Sequence, residues 1–385
     1  MNIILAAGGT GGHMVPAHAL AAELTSRGAG VALITDDRGA RIPGLFSGVP
    51  VHILPAGRLG GGPLGWIKAL GAVVRGRRQA RALYREFRPD AVVGFGGYPA
   101  FPALLAASAS NIPAILHEQN AVLGRVNRLL AGEAAAIATA YPEVERLKGA
   151  HRNKVALVGN PVRSSVARLG EAPLPPFDEV APLKILITGG SQGASILGTV
   201  VPAGLGALAP SIRHRLQVVQ QCRPDDIEAV RKHYAELKIP AELMTYITDM
   251  PAKLAEAHLV IARAGASTIA ELTAAGRPAI LIPLPSATDD HQTANAREMA
   301  RAGGARMIAQ DDFTPEALAS QVEALAEDPE ALANAAARSL SVGRPYAASD
   351  LADLVERIAG GAAPLMVGPA TSKPARAIPV NGVPA

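Results

Sequence analysis

The sequence is poor in sulfur and in aromatic rings. Its single cysteine, Cys222, cannot close an internal disulfide, which sets aside the stapled secreted scaffolds and fits a reducing compartment. Aromatics make up 3% of the 385 residues while hydrophobic residues reach 49%. A core must therefore be assembled from Ala, Val, Ile and Leu, as in parallel sheets covered by helices. No basic segment precedes the first apolar run, and glycine breaks that run after Ala7, so the start does not read as a signal peptide. The longest stretch without a charged residue, 91–116, is long enough to cross a bilayer, but Gly94, Gly96, Gly97, Pro99, Pro102 and Pro113 interrupt it. It reads as strand, loop and helix. A net charge of +4 gives no reason to expect nucleic acid as a partner.

Several chemistries are missing as well. There is no Asp-x-Asp pair for a metal-bound diphosphate, no zinc-ligand spacing, no P-loop lysine pattern and no nucleophile elbow. The dinucleotide fingerprint also fails, because taking Gly9 and Gly11 as its first two glycines puts Met14 where the third belongs. Asp36, at the end of the second predicted strand, keeps an oxidoreductase reading open as a minor alternative. The preferred site uses no metal and no cofactor; it relies on helix termini with Arg163 or Arg263.

Two glycine-rich loops stand out against these absences. The strand Ile3 to Ala7 runs into Gly8-Gly9-Thr10-Gly11-Gly12-His13 and a helix predicted to begin near Pro16. A near copy, Ile185 to Thr188 followed by Gly189-Gly190-Ser191-Gln192-Gly193-Ala194, opens the second half. Such loops turn the chain sharply and present backbone N–H groups at a positively polarised helix start, where anions bind. Only the first ends in histidine, which can take a proton near neutral pH or simply cap the turn.

Strand-like and helix-like segments alternate in both halves, predicting α/β architecture with right-handed crossovers. The first half carries strands at 2–7, 31–35, 50–54, 90–94, 113–117, 134–138 and 154–158, with helices at 16–27, 64–87 and 100–110. Pro161, Pro173, Pro175, Pro176 and Pro182 then mark a boundary. The second half restarts at strand 183–188, contains one helical stretch at 314–340, and ends in a helix near 346–358. Beyond Gly360 the composition predicts a disordered tail, 361–385.

Polar clusters fall at predicted strand ends. His117-Glu118-Gln119-Asn120 follows strand 113–117, as groups facing a cleft or as groups bonded to loop carbonyls. Arg263-Ala264-Gly265-Ala266-Ser267-Thr268 opens a helix carrying Ile269, Ala270 and Glu271, where small residues suit a diphosphate. Glu271 could bond a ribose diol or merely favour the helix dipole. Asp289-Asp290-His291-Gln292 is a polar loop in which Gln292 could read sugar hydroxyls. Arg75, Arg77, Arg78, Arg81, Arg85 and Arg88 follow Trp66, Ile67, Leu70, Val73 and Val74 with only Glu86 opposing them. That segment fits either an ordinary surface helix or one that rests on anionic lipid, with Trp66, Ile67, Leu70, Arg75 and Arg78 making the contact.

Taken in order, Gly8 to His13, Gly94 to Tyr98, His117 to Asn120, Gly159 to Arg163, Gly189 to Gly193, Arg263 to Glu271, and Asp290 to Gln292 with Asn295 resemble the MurG family. These bacterial transferases add N-acetylglucosamine from UDP-GlcNAc to lipid I, giving lipid II. The match extends to about residue 358 and leaves the tail uninterpreted. It implies a GT-B fold, with two Rossmann-like parallel-sheet domains facing each other across a cleft. Residues 1–162 would bind acceptor and membrane, 163–342 would bind UDP-GlcNAc, and a helix at about 343–360 would return to the first domain. It further implies an inverting hexosyltransferase of peptidoglycan synthesis, and so of cell shape and division, peripheral on the cytoplasmic face of the bacterial inner membrane, with other cell-wall synthesis proteins as partners.

In that picture His13 is the candidate base, with His117 or Glu118 as assistants. Thr10, Gly11 and Gly12 lie near the diphosphates, and Asn120 and Gln292 touch the sugar. Arg163 and Ser191 serve the diphosphate region, the backbone at Ile247 the uracil, Ala266 to Ala270 the phosphates and Glu271 the ribose. Gly8, Gly9, Gly96, Gly97 and Tyr98 face the acceptor. A direct displacement needs one base and a stabilised leaving group, not the paired carboxylates of a retaining glycosidase. The alternatives are another GT-B enzyme using a UDP-sugar, such as an epimerase or a transferase with a different lipid acceptor, and a non-catalytic scaffold that binds nucleotide sugars.

Overall fold

In the computed structural model of the chain, residues 1–9, 11–42, 45–55, 62–178, 180–190 and 193–364 are described, with backbone alone for 62–66. Thirteen strands form two sheets among them. The first contains β1 (Asn2–Ala7), β2 (Gly30–Thr35), β3 (Val51–Ile53), β4 (Ala91–Gly96), β5 (Ala114–Glu118), β6 (Ala136–Thr139) and β7 (Val155–Leu157), in the order β3-β2-β1-β4-β5-β6-β7. The second contains β8 (Leu183–Thr188), β9 (Leu216–Gln221), β10 (Ala241–Met244), β11 (Leu259–Ala262), β12 (Ala279–Leu281) and β13 (Ala305–Met307), in the order β10-β9-β8-β11-β12-β13.

Every pairing within these sheets is parallel. Parallel strands need helical crossovers, and these cover both faces. On β1, Ile3 and Leu5 point to one helical layer while Ile4 and Ala6 point to the other, and all four are fully buried. Ile185 and Ile187 against Leu186 repeat the pattern on β8. Alanine does much of the packing, which lets helices approach closely and accounts for a core with few rings.

The strand order reverses between β1 and β4 and again between β8 and β11. Ligands of doubly wound sheets bind beyond the carboxyl ends at such reversals, since neighbouring loops there diverge to opposite faces and leave a crevice. Both glycine-rich loops follow a strand at one of these points.

Three expectations about local structure need correction. The first helix spans Gly11–Ser26, so it starts five residues before Pro16 and places His13 in its first turn. Pro16 removes one N–H early in the helix, a small loss beside the burial of Met14, Ala17, Leu20 and Leu24. The stretch 314–340 is two helices, Pro315–Ala326 and Pro329–Ser341, because Asp328 caps the second through Ala331 N at 2.8 Å and Pro329 begins it. Strand β13, only three residues long, falls in a stretch where the sequence pattern marks neither helix nor strand.

The chain leaves the first sheet after β7 and returns after Ser341. A Cβ on Gly159, whose φ is +93°, would stand 2.7 Å from the Arg344 Cβ, so the two crossings touch. The last helix, Ala347–Ala359, packs on Gly11–Ser26 through Leu351, Val355 and Ile358. Arg27 pins it there, with Nη1 2.7 Å from Asp353 Oδ1 and 3.1 Å from Glu356 Oε2. Among the described residues no helix is long and apolar enough to cross a membrane. The tail from residue 365 lies outside the described residues.

Candidate active site

After β1 the backbone turns within contact of the loop that follows β4. Gly8 N donates to Gly96 O at 3.0 Å, and a Cβ on Gly97, at φ +80°, would come 2.6 Å from the Gly8 Cα. Neither position has room for a side chain. Gly9 N donates to Asp36 Oδ1 at 3.1 Å, and the same oxygen accepts from Gly39 N at 2.9 Å. Asp36 thus holds the turn and caps a short helix, work that accounts for its carboxylate without a ribose.

His13 sits on this support. Its imidazole donates to the Gly8 carbonyl and packs on Gly96, where a Cβ would lie 3.2 Å from Nε2. Burial lowers its pKa below the ordinary 6.5, the Gly8 bond and Asp36 oppose that, and His291 from the second lobe lowers it further. A neutral imidazole that donates through one nitrogen carries its lone pair on the other, the form a general base needs. Tyr98, next to Gly97, is 39% exposed.

Across the gap, helix Ala266–Ala274 begins after Gly265 with no side-chain cap, and it packs against helix Gly11–Ser26. The first N–H groups of a helix seek acceptors, and here no capping side chain competes for them. Behind this start, Arg263 is buried, its guanidinium taken by Ile282 O, Pro283 O and Gln310 Oε1. These bonds tie it to the loop after β12 and to Gln310, while Arg163 is the more exposed cation nearby. Arg163 Nη2 lies 3.0 Å from Glu271 Oε1, an ion pair between residues expected to contact different parts of a nucleotide. The second glycine loop is braced by Thr188 Oγ1, which accepts from Gly190 N at 3.2 Å and donates to Gln221 Oε1 at 2.9 Å. Thr10 and Ser191 lie outside the described residues. Ile247 is buried beyond β10, and Gln292 Oε1 accepts from Leu284 N at 3.0 Å.

Polar contacts join the lobes. Asn295, fully buried on the second lobe, accepts from Ala121 N at 2.8 Å and donates to Asn120 Oδ1 at 3.1 Å. Asn120 is thereby held at the seam.

His117 and Glu118, expected as assistants to the base, are both engaged in internal hydrogen bonds. Gln119 Nε2 donates to His117 Nδ1 at 2.8 Å, so the ring proton is on Nε2, which donates to Gly159 O at 2.9 Å. Both nitrogens are used and the ring is fully buried. Glu118, 2% exposed, accepts four bonds: from Asn120 N at 3.1 Å, Asn120 Nδ2 at 3.3 Å, Gly124 N at 2.7 Å and Asn127 Nδ2 at 2.8 Å. It pins the loop that carries Asn120. Asn127 had no signal of its own in the sequence, since its partner lies nine residues earlier on another element.

Burial depresses the His117 pKa to about 4 from 6.5. The unfolded chain takes up this proton below about pH 6.5 and the folded one only near 4, so stability falls as pH drops through that window. The loss attributable to His117 is about 3 kcal/mol. His13, His18 and His258 are also lowered, so the test is comparative. Urea midpoints at pH 7.5 and 4.5 should separate less in His117→Asn than in the parent; an equal separation would refute the assignment.

On helix Gly62–Phe87, Ile67 (68% exposed), Leu70 (66%) and Val74 (44%) share one stripe, and Arg78, Arg81 and Arg85 continue it, all exposed. Ala69, Ala72, Ala80 and Tyr84 bury the opposite side. Arg75 is exposed beside the stripe, and the Trp66 side chain lies outside the described residues.

Comparison with known proteins agrees with this arrangement. Residues 3–139 match the N-terminal domain of glycosyltransferase family 28, and residues 184–358 match its C-terminal domain. The chain is 62% identical over 359 residues to a UDP-N-acetylglucosamine–N-acetylmuramyl-(pentapeptide) pyrophosphoryl-undecaprenol N-acetylglucosamine transferase of Erythrobacter litoralis, covering 93% of this chain and 90% of that one. The enzyme of the same name from Novosphingobium aromaticivorans is 61% identical, with 95% and 94% covered. The crystal structure of Acinetobacter baumannii MurG superposes with a TM-score of 0.74 at 30% identity, covering 92% of this chain and 99% of that one.

Proposed function

The chain belongs to glycosyltransferase family 28, and on that premise we propose that it transfers N-acetylglucosamine from UDP-GlcNAc to the 4-hydroxyl of the N-acetylmuramyl residue of lipid I, giving lipid II for peptidoglycan. The observation that carries the reading is the pairing of two helix starts across one gap, with His13 on the first and the uncapped N-terminus of Ala266–Ala274 on the second.

Each start does one half of a displacement. The neutral His13 imidazole takes the proton as the 4-hydroxyl oxygen bonds to the anomeric carbon. The bond from that carbon to the phosphate oxygen breaks on the opposite face, so configuration inverts and UDP departs. Helix N–H groups at Ala266, Ser267 and Thr268, with Arg163, hold the negative charge that grows on the diphosphate. Ile269 and Ala270 keep the helix start seated, and Ile247, through its backbone, receives the uracil. Glu271 takes the ribose diol by sharing its carboxylate with Arg163. Asn120 and Gln292 orient the sugar, and Thr10, Gly11, Gly12 and Ser191 complete the diphosphate surround. Gly8, Gly9, Gly96, Gly97 and Tyr98 form the acceptor side, where the close approach of two glycine backbones supports His13 beside the attacking hydroxyl. No metal enters this scheme.

Residues 1–162 with the last helix form the acceptor lobe and 163–342 the donor lobe. The apolar stripe of Ile67 and Leu70, followed by Arg75 and Arg78, rests the acceptor lobe on the anionic cytoplasmic face of the inner membrane, where the substrate's lipid anchor resides. Other cell-wall synthesis proteins would meet the enzyme there.

UDP release is the measurement. Mixing UDP-GlcNAc with a lipid I analogue should release UDP only when both are present, and phosphatidylglycerol vesicles should raise the rate over uncharged vesicles in a salt-sensitive way. Release without acceptor, or none with it, would overturn the transfer. Equal rates on both vesicles would overturn the membrane contact.

A further inference from the structure

Outside the reacting groups, charges from both lobes converge on Asp289. Its Oδ1 accepts from Arg146 Nη1 and its Oδ2 from Arg128 Nη2, each at 2.7 Å. Both arginines belong to the first lobe, Arg128 on helix Arg125–Leu130 and Arg146 in the turn beyond β6. The two arginines hold the Asp289 carboxyl below the usual range for an aspartate, against the effect of burial. A second ion pair, Arg297 with Glu145 at 2.8 Å, lies beside it.

The backbone on both sides of this triad is unusual. Asp289 has φ +58°, Asp290 φ +52° and Arg146 φ +64°, three non-glycine residues in the left-handed region. Aspartate adopts this region more readily than most residues, whereas for Arg146 it is costly and lasts only where surrounding contacts enforce it. The two aspartates lead directly into helix His291–Ala302, so Asp289 determines where that helix starts relative to the first lobe. His291 influences His13 electrostatically, and Gln292 is one residue further.

We propose that Asp289 is a positioning residue, which through Arg128 and Arg146 docks the start of the helix bearing His291 and Gln292 against the acceptor lobe and so sets the separation across the reacting gap. The kinetic consequence rests on the transfer reading, but the docking itself does not.

The test separates the two. Asn tolerates left-handed backbone well, so Asp289→Asn removes the charge with little risk to folding. With nitroxide labels at Ile53→Cys and Met307→Cys, both exposed and on different lobes, the substrate-free interlobe distance should lengthen and broaden in Asp289→Asn. At saturating substrates kcat should fall about tenfold, as expected for a small misplacement of reacting groups, while the donor KM changes less than twofold. Adding Arg128→Gln and Arg146→Gln to Asp289→Asn should cost nothing more, as for members of one network. Sodium chloride should slow the parent more than the variant. An unchanged distance distribution, an unchanged kcat, or an additive loss from the arginine substitutions would overturn the proposal. If the parent itself transfers no sugar, the transfer reading fails while the distances still decide the docking.

Discussion

Substituting His13 by alanine should lower kcat by about 10² to 10⁴, the usual cost of losing a positioned general base. The residue is held for that work. Its ring donates to the Gly8 carbonyl, packs on Gly96, and is kept neutral by burial and by His291. Since its pKa in the free protein lies below 6.5, the acidic limb of the parent kcat/KM profile should fall below pH 6.5, and His13→Ala should abolish that limb. Donor affinity should survive, because the helix N–H groups that bind the diphosphate are untouched. Near-normal turnover of His13→Ala at saturating donor would exclude His13 as the base.

The second large effect belongs to Glu118. Truncating it to alanine strands Gly124 N, Asn120 N and the amides of Asn120 and Asn127, all of which now donate to one buried carboxylate. Buried donors without acceptors each carry a desolvation penalty, so Glu118→Ala should destabilise the fold by on the order of 3 kcal/mol. Asn120 should lose its place at the seam, and with it the bond to Asn295. Chemical unfolding would show a lower urea midpoint with an unchanged slope. The surviving folded fraction should be slow, with a raised donor KM. A midpoint within error of the parent would mean that solvent satisfies these groups and that the loop needs no internal anchor.

The contrast between His13 and Glu118 shows what the sequence could disclose. Local patterns were legible: strands flanked by glycine loops predicted parallel sheets, and the strand order puts both loops at the reversals where a ligand crevice opens. His13 could be singled out because glycine around a histidine implies something approaching closely. A run of four polar residues at the end of β5 carries no such asymmetry. The same letters describe groups that face a cleft and groups folded beneath a loop, and only the partners at Gly124, Asn127 and Gly159 decide. Long-range charge pairs were equally hidden, as with Arg163 and Glu271, 108 positions apart. The division at Asp328-Pro329 was readable in principle, since an acidic cap before proline is a helix start, but the apolar period runs through it.

The last helix has a consequence for biosynthesis. Leu351, Val355 and Ile358 complete a core that also holds Leu20 and Leu24, so residues translated after the whole second sheet close a layer begun before it. As the polypeptide emerges from the ribosome, the intervening lobe has every strand of its own sheet before this final segment appears. The lobe synthesised before its neighbour is therefore finished after it, and it waits with one flank uncovered until the neighbour's sheet has been made.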